Sequence, residues 1–317
     1  MDLMANLLVQ GTQMLLVLAI APALTGLVRK VKARLTRRRG ASVLQPYRDL
    51  LRLLHKEAVL AQNASWLFRA APYVIFAATW VAAALVPTFA TGLIFSWSAD
   101  LIAITALIGS ARFMLALAGM DVGTSFGGLG SSREVMISSL AEPAMIVIVF
   151  SLALVAHSTQ LSTIAAVFHG GVGLRVSLAL ALVALLMVAV AENGRIPVDN
   201  PATHLELTMV HEAMVLEYSG RHLALIELAA QLKLVLFLSL VACLFLPWGL
   251  APAGAGISGL VLGAGAYGLK LAAGAVLLAV FETSVAKMRV FRVPDFLGAA
   301  LMLGLLGTLL LFVSRIL

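Results

Sequence analysis

Charge and cysteine are scarce in this chain of 317 residues. Only 12% of the residues are charged, 62% are hydrophobic, and the mean hydropathy is +1.04. Ordinary soluble domains are about 25% charged, so the composition excludes that class and predicts an integral membrane protein. The single cysteine, Cys243, excludes a disulfide framework and a cysteine-ligated metal or iron–sulfur cluster. Any electron-transfer centre must therefore belong to a partner.

Long apolar runs predict an all-α, polytopic membrane protein with about eight transmembrane helices. A membrane-spanning helix needs about 20 mostly apolar residues. Such runs lie roughly at 4–28, 71–92, 99–119, 137–157, 174–192, 222–247, 260–281 and 296–314. We expect a single integral membrane domain over 1–317. The N-terminus carries Asp2 and no basic segment, so we interpret the first run as a retained span and not as a signal peptide.

Basic residues are missing from some connections between spans and abundant in others. Of the 22 Lys and Arg residues, 17 follow the first, third, fifth or seventh span, and eleven of these lie between Arg29 and Arg69. Positive charge accumulates on the cytoplasmic side. We therefore expect a bacterial inner-membrane protein with both termini outside, in the periplasm, and with cytoplasmic polar loops at 29–69 and 193–221. We assign the net charge of +7 to orientation and membrane lipids, and we expect no nucleic-acid binding.

The basic loop at 29–69 contains an amphipathic segment. Pro46 stands where a helix can begin, and the apolar residues from Tyr47 to Leu54 share a face opposite the basic side chains. Two roles are open for this segment, namely an anchor for lipid phosphates and a docking platform for a soluble partner. The candidate docking residues here and in later loops are Arg37, Arg38, Arg39, Arg48, Arg52, Lys56, Glu57, Arg133 and Arg195.

Carboxylates are concentrated where the fifth span ends and the sixth begins, between Glu192 and Glu227. Acids beside a membrane usually face a bundle interior or an aqueous cavity and belong to proton or ion paths. If residues 202–217 form one helix, Glu206 and Glu217 point the same way. The alternative is a solvated acidic loop. The candidates for a proton path or coupling are Glu142, Glu192, Asp199, Glu206, Glu212, Glu217, Glu227, Lys233, Lys270 and Glu282.

Several ionisable residues fall inside or at the end of the apolar runs, namely Arg112, Glu142, Lys233, Lys270 and Glu282. Each costs at least about 2.5 kcal/mol at a lipid-facing midplane, so we expect them to face one another. Glu142 is followed by Pro143, which frees a backbone carbonyl and can open the helix to water. A purely structural polar contact is the alternative.

Two segments resemble a zinc-binding motif and a phosphate-binding loop, but each lacks residues that the motif requires. His204 and His211 are spaced to share a helix face, but HEAMV at 211–215 lacks the second histidine of a zinc HExxH motif. We therefore expect no metal site, and we interpret these histidines as hydrogen-bonding or protonatable groups. The glycine run FGGLGSS at 126–132 has no preceding strand and no following GK[ST], so we expect a flexible inner loop.

The order of these motifs resembles a known family. A basic first loop ending LLHKE, SLAEP in the fourth span and GRIPVDNPATHLE with a later LEYSG resemble the membrane subunit shared by respiratory complex I, as its subunit 1, and membrane-bound nickel–iron hydrogenases. The run RRG at 38–40 continues as ASVLQPYRDLL, which departs from the quinone-binding branch. The longer HLELTMVHEAMVLEYSG resembles the formate hydrogenlyase and hydrogenase-4 branch.

The resemblance implies a membrane anchor subunit that holds no cofactor of its own. It implies partners that carry a nickel–iron centre and iron–sulfur clusters, namely large and small hydrogenase subunits, ferredoxin-like subunits and antiporter-like membrane subunits. Glu142, Asp199, Glu206 and Glu217 match family acids on the route between the soluble arm and the membrane proton path. The alternatives are the complex I subunit with quinone as ligand and a freestanding cation or proton transporter.

Overall fold

The computed structural model describes residues 3–92, 94–170, 176–200, 209–252 and 254–316, with side chains from residue 6 to residue 313. These ranges contain eleven α-helices and no β-strand, apart from isolated bridges that join Ala90 to Ala251 and Asp100 to Gln160. The predicted all-α class is confirmed. The helices are α1 (Leu3–Leu35), α2 (Gln45–Leu54), α3 (Trp66–Leu85), α4 (Leu101–Asp121), α5 (Ser125–Ala156), α6 (Leu161–His169), α7 (Val176–Glu192), α8 (His211–Val215), α9 (Gly220–Phe245), α10 (Ile257–Ser284) and α11 (Val293–Ile316).

Seven helices within these ranges are long and apolar enough to cross a membrane, namely α1, α3, α4, α5, α9, α10 and α11. The fifth predicted span corresponds to α7, an apolar helix of 17 residues, and residues 171–175 before it lie outside the described ranges. Seventeen residues span about 26 Å, slightly less than a bilayer core of about 30 Å. The chain is a multi-pass membrane protein, while the eight-span count and the placement of both termini outside stay predictions.

Three of the long helices begin at side-chain caps. The side chains of Ser65, Asp100 and Thr124 accept hydrogen bonds from backbone N–H groups in the first turns of α3, α4 and α5. Such caps satisfy amides that have no partner within the helix. Asp121, at the end of α4, also accepts a hydrogen bond from the Ser65 N–H at 2.8 Å. The start of α3 is therefore tied to the end of α4 at the same end of the bundle.

The glycine run at 126–132 is helical, so the prediction of a flexible loop is wrong. The run forms the first turns of α5, capped by Thr124. Its glycines allow close helix contact, because a Cβ atom at Gly127 would overlap the carbonyl oxygen of Gly119 on α4. Tertiary packing here outweighs the low helix propensity of glycine.

The amphipathic helix predicted after Pro46 is confirmed as α2, with proline in its first turn and Pro46 and Leu50 buried. The Tyr47 hydroxyl donates a hydrogen bond to the carbonyl of Ala19 on α1. The chain between the two helices also packs on α1, since a Cβ atom at Gly26 would overlap the carbonyl oxygen of Val43. The first connection is thus held against α1. We call this end of the bundle, where residues 36–65 and α8 lie, the basic end.

The EYSG motif joins α8 to α9 and binds the first connection. Tyr218 is buried, stacks on Phe68 with ring centroids 3.9 Å apart, and donates to the Phe68 carbonyl at 3.0 Å. Burial raises the pKa of the Tyr218 hydroxyl above its usual value. Ser219 bonds both the N–H and the carbonyl of Val59. Gly220 has a φ of +52° and packs on the Glu57 carbonyl, a conformation and a proximity that favour glycine.

Candidate functional site

A cluster of ionisable side chains lies inside the bundle, between α4, α5, α7 and α9. Arg112 on α4 is only 3% exposed, and its Nε donates to Glu134 Oε1 on α5 at 2.7 Å. Its Nη1 donates to the carboxylate of Glu192 at the end of α7. Lys233 on α9 is close enough to interact electrostatically with both carboxylates. We call Arg112, Glu134, Glu192 and Lys233 the buried ion cluster.

The cluster contains equal numbers of basic and acidic side chains, two of each. Such balance is required, because an unpaired buried ion loses several kcal/mol of hydration. Glu142 on α5 also interacts electrostatically with Arg112. It faces α4 at Gly109, where a Cβ atom would lie 3.4 Å from Glu142 Oε1. The expectation that intramembrane charges face one another is therefore met by Arg112, Glu142 and Lys233. It is wrong for Glu282 and Lys270, which have other partners.

A small cavity adjoins the buried ion cluster. It is lined by residues of α3, α4, α8 and α9, including the polar side chains of Thr79, Arg112, His211 and Lys233. Its volume of about 30 Å³ has room for about two water molecules. Among the described residues, Arg112 Nη2 and Glu192 Oε2 are buried without a protein hydrogen-bond partner. Because buried polar atoms require partners, these two atoms favour water in and around the cavity.

A second set of ion pairs joins α1, α10 and the segment after α7. Glu282, buried at the end of α10, accepts hydrogen bonds from Lys32 at 3.1 Å and from Arg195 at 3.0 Å. Lys287 donates to buried Asp199 at 2.8 Å. We call these five residues the junction cluster. It fixes residues 193–200, which lead into 201–208, at the basic end.

The predicted docking residues fall into two groups. The side chains of Arg133 and Arg195 are engaged internally, by the Met209 carbonyl at 2.8 Å and by Glu282. The other seven are exposed at the basic end, where they are accessible to a partner. These seven are Arg37, Arg38, Arg39, Arg48, Arg52, Lys56 and Glu57.

The acidic loop is not one continuous helix. Met209 and Val210 are not helical and α8 covers only 211–215, so the condition for aligning Glu206 with Glu217 is not met. Glu206 and His204 lie outside the described residues. Glu217 is exposed in the turn after α8, and Glu212 and Glu227 are half-buried on α8 and α9. Glu192, at the start of this region, is hydrogen-bonded to Arg112.

Lys270 is separated from the buried ion cluster. It lies near the opposite end of α9, where its amine donates to the carbonyls of Leu246, at 2.6 Å, and Trp248. The amine also lies 4.6 Å from the centroid of the Trp248 ring. A cation here satisfies carbonyls that follow the last turn of α9 and offsets its dipole.

Glu134 was not among the residues singled out from the sequence. It follows Arg133 and looks like part of a charged loop, but α5 begins nine residues earlier at Ser125. The available signal is periodicity, because the buried positions Gly127, Gly130, Glu134, Ile137 and Ala141 recur every three or four residues. A carboxylate on that buried face needs a buried cation, and Arg112 supplies it.

Comparison with known proteins agrees with this architecture. The sequence pattern of the NADH dehydrogenase family matches residues 9–313. This chain belongs to that family. Two relatives from Escherichia coli (strain K12) are both 34% identical to it. Formate hydrogenlyase subunit 4 aligns over 89% of this chain and 91% of its own length, and hydrogenase-4 component C over 87% of each.

One further relative and one solved structure are less similar in sequence to this chain than these two proteins are. The NADH-ubiquinone oxidoreductase chain 1 of Triticum aestivum is 29% identical over 69% of this chain and 68% of its own length. A solved chain of the membrane-bound sulfane sulfur reductase, an archaeal respiratory membrane complex, shares the fold with a TM-score of 0.82 at 17% identity. The alignment covers 96% of this chain and 99% of that one. The family resemblance predicted from the motifs is confirmed.

Proposed function

We propose that this chain is the membrane anchor and coupling subunit of a multisubunit hydrogenase of the formate hydrogenlyase or hydrogenase-4 type. It docks a soluble nickel–iron hydrogenase arm and links electron transfer to the movement of protons or sodium ions. The similarity to formate hydrogenlyase subunit 4 and hydrogenase-4 component C over most of each chain supports this branch over the quinone-binding one. The observation that carries the coupling role is the buried ion cluster beside its cavity.

Docking is assigned to the basic end. Seven charged side chains of the first connection are exposed there, and α2 and the EYSG turn hold that connection in place. An exposed, mostly cationic surface attracts an acidic partner and steers its approach. The arm would supply the nickel–iron centre and the iron–sulfur clusters. Ferredoxin-like subunits and antiporter-like membrane subunits complete the proposed complex.

Coupling is assigned to the buried ion cluster and the acids around it. Arg112 contacts two carboxylates that lie on different helices, so a shift of either helix changes the pairing of a buried charge. Uncompensated charge in a low-dielectric site is strongly unfavourable. It is relieved when a carboxylate binds a proton or when another ion moves. Glu206, Glu217 and the junction cluster extend this proposed route toward the arm.

Purification tests the anchor role. We expect the affinity-tagged chain, isolated from its native membrane in mild detergent, to copurify with nickel and iron and with hydrogen-forming activity from reduced methyl viologen. A freestanding transporter would be metal-free and active alone in vesicles. A quinone-binding subunit would instead copurify with quinone reductase activity. Either of those results contradicts the proposal.

Substitution tests the coupling role in the same preparation. We expect Glu192→Gln to leave the copurified metal unchanged and to impair proton or sodium movement in inverted vesicles, measured by acridine dye quenching or by ²²Na⁺ uptake. Asp295→Asn, at an exposed carboxylate at the start of α11, is the matched control and should behave as wild type. Equal ion movement in both variants would refute a role for the buried ion cluster.

A further inference from the structure

Close packing of glycines holds the short helix α8 against α4 and α5. A Cβ atom at Gly130 would lie 2.9 Å from Met214 Cγ and 2.9 Å from the Val210 oxygen. A Cβ atom at Gly119 would lie 3.1 Å from Met214 Cγ. Arg133 adds its hydrogen bond to the Met209 carbonyl, immediately before the helix. The position of α8 is therefore fixed from two neighbouring helices and from its own N-terminal side.

This packing places His211 at the junction between the connecting loop and the interior. His211 is half-buried, and it lines the same cavity as Arg112 and Lys233. It also interacts electrostatically with Glu134. Glu212 is its neighbour along α8, and Arg133 on α5 bonds the Met209 carbonyl two residues before it. His211 is the residue of the connection between α7 and α9 that lines this cavity, within the part of that connection the structure describes.

We propose that His211 transfers protons between water at the basic end and the cavity beside the buried ion cluster. This proposal rests on the coupling role proposed above and names the residue through which protons enter. One ring nitrogen accepts a proton from water on the loop side, and the other nitrogen releases its proton to water in the cavity. The ring then returns to its first tautomer by rotation or exchange. Imidazole suits this step because one of its ring nitrogens can accept a proton while the other donates one.

The fixed position of α8 is a requirement of this role. A proton-transferring group must remain within reach of one water on each side, and a mobile loop would not hold it there. The glycine contacts at Gly119 and Gly130 supply that restraint without adding any side-chain bulk. Thr79, on the α3 wall of the same cavity, has a hydroxyl that donates to the Ile75 carbonyl and can accept a hydrogen bond from cavity water.

Histidine replacement with chemical rescue tests the proposal in vesicles that hold the whole complex. We expect His211→Ala to slow redox-driven proton uptake at least about tenfold while nickel and iron still copurify. The alanine leaves a space the size of an imidazole ring, so added imidazole should restore uptake. His211→Gln fills that space without proton transfer and should stay slow with imidazole. His169→Ala, at an exposed histidine at the end of α6, should match wild type.

The outcomes separate the two proposals. Wild-type rates in His211→Gln would overturn the role of His211, as would a slow His211→Ala that imidazole does not rescue. If Glu192→Gln is impaired in the same vesicles, the buried ion cluster keeps its coupling role despite that result. If the wild-type complex moves no ions at all during turnover, the coupling proposal itself is refuted. Should His211→Ala not assemble, the glutamine variant decides.

Discussion

The Nε atom of Arg112 lies 2.7 Å from Oε1 of Glu134, and this bond joins α4 to α5 in the interior of the bundle. The glycines of α5 bring the two helices close together, and the ion pair then fixes their relative position. The contact between these helices therefore depends on charge as well as on shape. A charged contact of this kind responds to proton binding, whereas an apolar one does not.

Removing Arg112 alone should destabilise the protein severely. Arg112→Leu leaves Glu134 and Glu192 buried without their cation, and we expect the free energy of unfolding to fall by about 3–5 kcal/mol. The double variant Arg112→Leu with Glu134→Leu should lose less than the sum of the two single losses, because it removes both sides of the pair. Denaturant unfolding in detergent measures all three. Strictly additive losses would show that the pair is not coupled.

Two glycines in the same helix should respond in opposite directions. Gly130→Ala places a methyl group against α8, and we expect a loss of about 1–3 kcal/mol from overpacking. Gly128→Ala meets nothing within 4 Å, so we expect a gain of about 0.5–1 kcal/mol from helix propensity. Thermal unfolding in detergent provides the comparison. A similar effect of both variants would mean that α8 is free to move aside.

Glu282 should contribute far more to stability than an exposed acid does. Glu282→Gln leaves Lys32 and Arg195 without their shared carboxylate, and we expect a loss of about 3–5 kcal/mol. Asp49 pairs with Arg52 on the exposed side of α2 at 2.9 Å, and Asp49→Asn should cost about 1 kcal/mol or less. Unfolding midpoints for both variants test this order. A larger effect of Asp49→Asn would contradict the assignment of the junction cluster.

Because Tyr218 is buried, we expect the protein to lose stability at alkaline pH. Burial raises its pKa in the folded protein, whereas the unfolded chain releases this proton near pH 10. Its contribution is therefore complete below about pH 10 and is lost as the pH rises toward the folded value. Tyr218→Phe keeps the ring stack on Phe68 and should remove this part of the alkaline decline. Unfolding free energies between about pH 8 and 11 for the two proteins check the difference.

The periodicity and length of apolar runs predicted the all-α class and the amphipathic helix after Pro46, because both depend on local spacing. The start of α5 was not predictable in the same way. Its glycine run has low helix propensity, and the packing of α4 and α8 against it is a tertiary contact with no local signature. Because this segment was assigned to a loop, Glu134 was not expected to be buried and was not identified as a site residue.

The sequence also did not predict which distant residues these charged side chains contact. The sequence identified Arg112, Glu142 and Lys233 as intramembrane charges that need partners, and the structure brings them together with Glu192, which was predicted only as part of the acidic loop. The sequence did not show that Lys270 lies apart from these residues. Lys270 contacts backbone carbonyls, which every residue has, so no residue type identifies its partners. Glu217 lies in an exposed turn, so proximity along the chain to Glu192 does not place both acids in one environment.

The close contact between Gly26 and Val43 bears on how tightly a soluble arm can bind. A flexible loop loses conformational entropy when a partner orders it, and that loss subtracts from affinity. Here the chain beyond the exposed Arg37, Arg38 and Arg39 already rests on α1, and Tyr47 and Ser219 hold the segments that follow. An arm that docks on this surface meets a largely preorganised face, so more of the contact energy remains available as affinity.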